Sequence, residues 1–352
     1  MRPPGLRASI GVLSVLAGAC IPVEQDWVVT EARFRGVKVE VVEPGGYASL
    51  LNVPAGKYRA TLLPLDTAEL TWHVTAPEGE LQPPIWFACP RDCVDSGYNY
   101  AITQLALDAL EDCPDPLPLR PAYCRLGEGP QIRVSLAGAF SAGDDIPFVL
   151  PLLIIGSGQA DLSPTTCLER LTARPIPPAG SCLFTRTLVY FGPNWAALPF
   201  GPEAAVPPEL REQEVDTNPE ITAFAVTRER GGTRTELVAG IGDDVPVRRG
   251  ERITVEPIFA AGAAQSYVEL INSEEGKPGS GEPSPRTEQL QWRGWFSAPV
   301  DGYEPTGDPW QTPLQWTVPH DVVPTTLYVD VRDGRSGRDF AELHFVPDDS
   351  QP

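Results

Sequence analysis

The chain has 352 residues and a formal net charge of −20, long enough for two domains of ordinary size. Its apolar content of 42% argues against disorder, and a surface this acidic is repelled by nucleic-acid phosphates, whose binding runs on Lys and Arg, so no nucleic-acid partner is expected. Forty residues are proline, about twice the usual share; because proline lacks an N–H and fixes φ, short strands joined by many turns are predicted in place of long helices.

At the N-terminus, Arg2 and Arg7 precede an uncharged stretch from Ala8 to Ala19. It is far shorter than the roughly 20 residues of a membrane-spanning helix and has the length of a signal-peptide core. A buried N-terminal helix is the alternative, but nothing amphipathic follows. Ala17-Gly18-Ala19 fits the small-x-small site of ordinary secretion. Leu16-Ala17-Gly18-Ala19-Cys20 also resembles the lipobox of bacterial lipoproteins, in which the cysteine becomes the acylated first residue, although Ala17 stands where Leu is commonest. Cysteines occur at 20, 89, 93, 113, 124, 167 and 182. An odd count in an exported chain leaves one thiol over. Lipidation of Cys20 accounts for it and leaves six cysteines for disulfides in an oxidising compartment. The expected layout is a signal peptide over 1–19 and a lipidated tether over 20–26, with export to the cell envelope and anchoring in the outer membrane through the N-terminal lipid.

A first domain is expected over 27–198. Val37, Val39 and Val41 alternate with polar residues, while Ala32 and Phe34 alternate in the other phase, so Gly36 predicts a bulge where the faces swap. Further period-two strands are predicted at Tyr58, Ala60 and Leu62, at Leu70, Trp72 and Val74, and at Ile132, Val134 and Leu136. An apolar run from Phe148 to Ile155 follows. Ile102, Leu105, Ala106 and Ala109 have helical spacing and predict one helix over 99–111. Cys89, Cys93, Cys113 and Cys124 enclose that helix, and Cys167 and Cys182 sit in a long loop between the last two strands of the domain. A local Cys167–Cys182 bond is favoured, because cross-linking a loop of about 15 residues restricts the unfolded chain by roughly 3 kcal/mol; the other four cysteines pair among themselves. A four-thiolate zinc site is the alternative, but its second pair, 113 and 124, is too widely spaced for a knuckle.

Residues 199–217, with Phe-Gly-Pro-Glu and Val-Pro-Pro-Glu-Leu, read as an extended, semi-stiff linker, followed by a second domain over 218–347 and a tail over 348–352. Strands are predicted at Ile253 and Val255, at Val268 and Leu270, at Leu327, Val329 and Val331, and at Ala341, Leu343 and Phe345. The halves echo one another: a glycine turn at Gly56 or Gly250, then an alternating strand, then Trp86-Phe87 or Trp295-Phe296. A Gly/Pro/Ser/Glu-rich insert over 272–286 reads as a long loop in the second copy. Through Trp295-Phe296, Leu314-Gln-Trp-Thr-Val-Pro319 and Thr326-Leu-Tyr-Val-Asp-Val-Arg-Asp-Gly334, the second half resembles the immunoglobulin-like or PKD-like domains of Gram-negative surface lipoproteins. The first half resembles them through Val53 to Leu62 and Trp86-Phe87-Ala88-Cys89. That resemblance implies an all-β chain with two immunoglobulin-like β-sandwich domains in tandem, the first carrying a disulfide-rich, partly helical insertion, and a final hairpin turning at Asp333-Gly334. Such domains host unrelated functions, so no activity comes with them.

Catalytic constellations are not evident. His73 and His344 fall on the outward phase of their strands and His320 in a turn, so each reads as a solvated side chain. Gly156-Ser157-Gly158 lacks the Gly-x-Ser-x-Gly elbow of serine hydrolases and reads as a turn. Asp144-Asp145 and Asp243-Asp244 read as turns too, since adjacent strand residues point to opposite faces. Asp330, Asp333 and Asp339 could supply oxygens to calcium, but a polar hairpin tip explains them as well, and no metal or cofactor is expected. Among Trp292, Trp295, Trp310 and Trp316, core packing is expected for Trp295 and Trp316, while Trp310 and Trp292 are candidates for an exposed ligand-binding face. The expected function is a non-catalytic interaction or structural module on the cell envelope, with an envelope protein or polysaccharide as partner. A carbohydrate-binding surface protein using exposed Trp residues is the alternative, and a hydrolase with an unrecognised site a third.

Overall fold

The computed structural model describes residues 27–77, 81–90, 110–138, 149–172, 181–192, 212–271, 282–303 and 313–348. The chain is all-β, with two β-sandwich-like stacks of sheets. Up to residue 192, strands β1 (Arg33–Glu43), β2 (Thr67–Thr75) and β5 (Gln131–Ser135) make one antiparallel sheet in the order β1-β2-β5. Strands β3 (Ile85–Ala88), β4 (Cys124–Glu128), β6 (Val149–Ser157) and β7 (Cys182–Tyr190) make a second in the order β4-β3-β6-β7. The inward residues of both sheets share one core, with Val37, Val39, Leu70 and Trp72 on one side and Trp86, Leu152 and Ile154 on the other.

The bulge expected at Gly36 is present as a register shift between Phe34 and Gly36, which turns the alternation of β1 over. The run ending at Ile155 is apolar in both phases because β6 is covered on both faces. Leu152 and Ile154 face the sandwich core, while Leu153 and Ile155 lie under a helix, α1 (Pro164–Thr172), through Cys167 and Leu168. This helix occupies 164–172 of the stretch predicted as a long loop between the last two strands of the domain. Its start is encoded locally: Ser163 Oγ accepts the backbone N–H of Thr166 at 3.1 Å, and Pro164 opens the first turn. Of the helix predicted over 99–111, only 110 and 111 fall within the described residues, and they are not helical.

Two other local expectations are corrected. Tyr58 to Leu62 does not join a ladder; the backbone N–H groups of Ala60 and Leu62 donate to Asp216 O and Tyr190 O, two different elements, so only isolated bridges form. Gly156 and Ser157 end β6 and are not a turn. A Cβ at position 156 would lie 2.4 Å from the Trp72 ring, so glycine here admits the indole between the sheets.

From residue 221 onward, strands β8 (Ile221–Arg230), β9 (Thr233–Ala239), β11 (Arg252–Phe259) and β15 (Leu314–Thr317) form a sheet in the order β15-β11-β8-β9. Strands β10 (Asp244–Val247), β14 (Gln291–Phe296), β16 (Thr325–Arg332) and β17 (Arg338–Pro347) form the facing sheet in the order β10-β17-β16-β14. All pairings are antiparallel except β10 with β17. Strands β12 (Ser266–Ile271) and β13 (Glu282–Thr287) pair only with each other. An edge-to-face aromatic chain fills the core: Phe296 to Trp316 at 4.9 Å and Trp316 to Phe345 at 5.0 Å. The β16–β17 turn places Gly334 at φ +86°, the left-handed conformation expected of Asp333-Gly334.

The start of the predicted first domain and the end of the predicted linker behave unexpectedly. Trp27 to Val29 dock on the second stack, where Val29 N–H donates to Phe296 O at 2.8 Å and Trp27 packs edge-on to Tyr303. Val215, Asp216 and Thr217, predicted as the end of an extended, semi-stiff linker, are buried. Their polar groups are taken up by both stacks: Val215 N–H donates to Asn52 O, and Thr217 N–H to Gln265 Oε1.

Candidate functional site

Two groups of polar side chains stand out, and both lie where the stacks meet. The first is a seam between the outward face of β1 and β2 and the outward face of β14, β16 and β17. Alternation leaves Tyr328 and Asp330 outside the second core while Leu327, Val329 and Val331 fill it, and Phe340 outside while Ala341 and Leu343 are inside. The first stack covers these outward residues. His73 stacks on Phe340 with ring centroids 3.9 Å apart, Arg35 lies over Trp295, and the Tyr328 hydroxyl donates to Ala76 O at 2.8 Å. Lys38 Nζ pairs with Asp339 Oδ1 at 3.0 Å, and the Asn218 amide donates to Val39 O at 2.7 Å. Gly36 makes the close approach possible, since a Cβ there would fall 1.4 Å from the Arg338 guanidinium, which donates to Arg35 O.

A cavity of about 280 Å³ remains in the seam, lined by Arg35, His73, Thr75, Trp295, Tyr328 and Asp330. Its electrostatics are set by burial. Burial, with Lys38 and Arg338 nearby, pushes the His73 imidazole down to about 3, so the ring is neutral. Burial also lowers Arg35 to about 10, helped by Arg33 and Arg293. Asp330 is pushed upward by burial against the pull of Arg332, Arg338 and Arg35. His73, read from its strand phase as solvated, is thus an interface residue: alternation showed that it faces away from its own core, and a second sheet lies there. His344 and His320 have polar neighbours, Thr326 Oγ1 at 3.1 Å and Asp321 at 3.2 Å.

The second group is a cluster of three buried carboxylates, Asp216 before β8, Glu288 after β13 and Asp333 after β16, whose oxygens lie within 4.8 Å of one another. Backbone donors hold one oxygen of each: Ser336 N–H on Asp216 Oδ2 at 3.0 Å, Gln265 N–H on Glu288 Oε2 at 2.8 Å, and Arg335 N–H on Asp333 Oδ1 at 2.7 Å. The Arg335 side chain bonds Glu288 Oε1 and, at 3.0 Å, Gln265 Oε1. It comes no nearer than 3.5 Å to Asp216 Oδ1. Asp216 Oδ1 and Asp333 Oδ2 are buried and accept no hydrogen bond from a backbone or basic donor, while the two carboxyls lie close enough to share a proton. Burial, then Asp216 and Glu288, push the Asp333 carboxyl up to about 9, and burial also raises Asp216 and Glu288.

The three aspartates grouped by sequence as possible calcium ligands do not converge. Asp339 is taken by Lys38 and by the Ile221 N–H, and Asp330 by Arg332, which leaves only Asp333 in the cluster. Its actual companions, Asp216 and Glu288, carry no local signal, because the fold brings them together from distant segments.

Among the cysteines, Cys113 bonds Cys124 and Cys167 bonds Cys182, with Cα atoms 4.8 and 5.6 Å apart. The expected local bond is therefore present, and Cys113 and Cys124 are not free thiolates for zinc. Cys89 is buried and disulfide-bonded. Cys20, Cys93, Asp144, Asp145 and Trp310 lie outside the described residues. Asp243 Oδ2 accepts the Gly240 N–H, as expected of a turn, and Asp244 opens β10. Trp316 is buried in the second core as expected, whereas Trp295, expected there too, is buried in the seam under Arg35. Trp292 is half-buried against the second core, its ring 5.8 Å from that of Phe259. Compared with protein-family models, with curated proteins and with solved structures, the chain matches none of them.

Proposed function

We propose that the chain is a non-catalytic, lipid-anchored lipoprotein of the cell envelope, built from two immunoglobulin-like sandwiches and acting as an interaction or structural module. The seam is the observation that carries this reading. Side chains that an enzyme would present in an open cleft are engaged with each other, Arg35 with Trp295, His73 with Phe340 and Lys38 with Asp339. A pair of sandwiches joined in this way suits a fixed spacing or a presented surface better than turnover. The immunoglobulin-like assignment of the second half is supported by two four-stranded sheets around one core and by the parallel pairing of β10 with the last strand.

With a lipid on Cys20, docking of Trp27–Val29 onto β14 would hold the second stack as well as the first close to the membrane, since Trp27 follows Cys20 by only seven positions. The partner is then another envelope protein or an envelope polysaccharide. Cells fed a fatty-acid probe should label the wild type and not Cys20→Ser, and photo-cross-linking of the anchored chain in cells should give a discrete envelope adduct. Equal labelling of the two forms, or polysaccharide cleavage by the purified chain, overturns the reading.

A further inference from the structure

We propose that Asp216, Glu288 and Asp333 bind one calcium-type divalent cation, which clamps the segment between the two stacks onto the second stack. Three carboxylates meet in a buried space with one guanidinium in reach, so their ionised forms leave two negative charges uncompensated. Isolated charge in a poorly solvated site is costly unless it is paired or coordinates a metal.

The independent pointer is the pair of oxygens without backbone or basic hydrogen-bond donors. Asp333 is only 3% exposed, yet neither its Oδ2 nor Asp216 Oδ1 receives a hydrogen bond from a backbone or basic donor, and the two carboxyls bond each other only by sharing a proton. Arg335 does not answer for them, because its short contacts go to Glu288 and Gln265. Gly337 bears on the same space: a Cβ there would lie 2.0 Å from Asp333 Oδ2 and 2.7 Å from the carbonyl oxygen of Thr217. That carbonyl therefore stands beside the carboxylate as a further oxygen donor. All of these donors are oxygens, which selects a hard cation, and the mix of carboxylates with a backbone carbonyl suits calcium better than magnesium, which keeps several waters and demands near-ideal octahedral coordination.

Asp216 and Thr217 belong to the segment leading into β8, whereas Glu288 and Asp333 belong to loops of the second stack, so an ion here ties one to the other. The test uses the purified full-length chain in detergent, stripped with EDTA. At about 1 mM calcium, the range of weak extracellular sites, equilibrium dialysis should recover one ion per chain. The melting temperature should rise by about 2 °C over the EDTA value. Asp333→Asn should lose both effects and melt in EDTA no lower than the wild type, whereas Asp243→Asn, in an exposed turn, should keep both. If Asp333→Asn does not fold, the wild-type binding and melting data decide alone. A wild type that binds no calcium and melts identically in calcium and EDTA overturns the proposal and assigns the excess charge to a shared proton.

Discussion

The guanidinium carbon of Arg35 sits 3.8 Å from the centre of the Trp295 ring, so a residue of the first strand covers an indole that strand alternation turns away from the second core. Cation–π contacts of this kind are worth about 0.5–2 kcal/mol, more when desolvated. Together with the His73–Phe340 stack and the Lys38–Asp339 pair, they couple the stacks energetically. With the seam intact at neutral pH a single cooperative calorimetric transition is expected, and Arg35→Ala should lower stability by about 1–2 kcal/mol. Residues 218–348 alone should keep β circular dichroism, since their core is complete apart from Trp27. They should melt below the whole chain, with red-shifted tryptophan emission as Trp295 becomes exposed. A fragment as stable as the whole chain would show that the seam contributes nothing.

A second prediction concerns the buried pair Arg59–Asp66, both side chains 1% exposed or less. Asp66 Oδ1 accepts the Gly45 N–H and Oδ2 the Leu63 N–H, so one carboxylate organises the chain from Gly45 to Asp66. Removing its charge strands the guanidinium, whose Nε and Nη1 already lack partners. Asp66→Asn should cost about 3–5 kcal/mol in urea unfolding. Replacing both partners by apolar residues, Arg59→Met with Asp66→Leu, should cost less than Asp66→Asn alone. Equal losses would mean that Asp66 acts only through its backbone donors.

Much of the architecture was legible because it rests on local signals. The valines of β1, the bulge at Gly36 and the Asp333-Gly334 turn each depend on neighbours a few residues away, and the Cys167–Cys182 bond spans only 15. What alternation cannot reveal is what covers an outward face. His73 and Phe340 sit on the outward phase of their strands, as does Trp295, which the sequence reading placed in the core; a second sheet packs over all three, leaving Trp295 buried and the other two partly exposed. Arg59 to Leu62 alternates like a strand but finds its backbone partners singly, in distant elements. The carboxylate cluster was hidden for the same reason, since Asp216, Glu288 and Asp333 become neighbours only when the linker end and two loops are folded together. Helix α1 is a different case: Ser163-Pro164 is a local start signal that the sequence reading, which places a loop here, does not take up.

The Cys167–Cys182 bond closes a separation of 15 residues, which in the chain-entropy view stabilises by about 3 kcal/mol. It also joins α1 to β7 over the outer face of β6, where Phe87, Leu153 and Ile155 are covered. Cys167→Ala with Cys182→Ala should therefore lower the urea stability of the first stack by about 3 kcal/mol. Amide exchange should rise in α1 before it rises in β6. Unchanged exchange across 164–172 would show that the helix is held by packing alone.

The last prediction is a pH dependence. His73 has a folded pKa near 3, lowered first by burial and then by Lys38 and Arg338, against 6.5 for the free side chain. Its Nε2 is buried without a partner, and its ring is stacked on Phe340, so the native state has no place for a second ring proton. Above pH 6.5 neither state binds that proton and His73 leaves stability independent of pH. Between 6.5 and 3 the unfolded chain takes it up and the native chain does not. Stability therefore falls as pH falls, by at most about 1.4 kcal/mol per pH unit. Carboxylates titrate in the lower part of this window too, so the comparison needs a variant that keeps the stack and removes the ionisation. His73→Phe should match the wild type at pH 7.5 within about 1 kcal/mol and lose less stability between pH 6.5 and 4.5, measured as urea midpoints across a pH series. Parallel curves for the two proteins would mean that the imidazole takes up its proton in the folded seam.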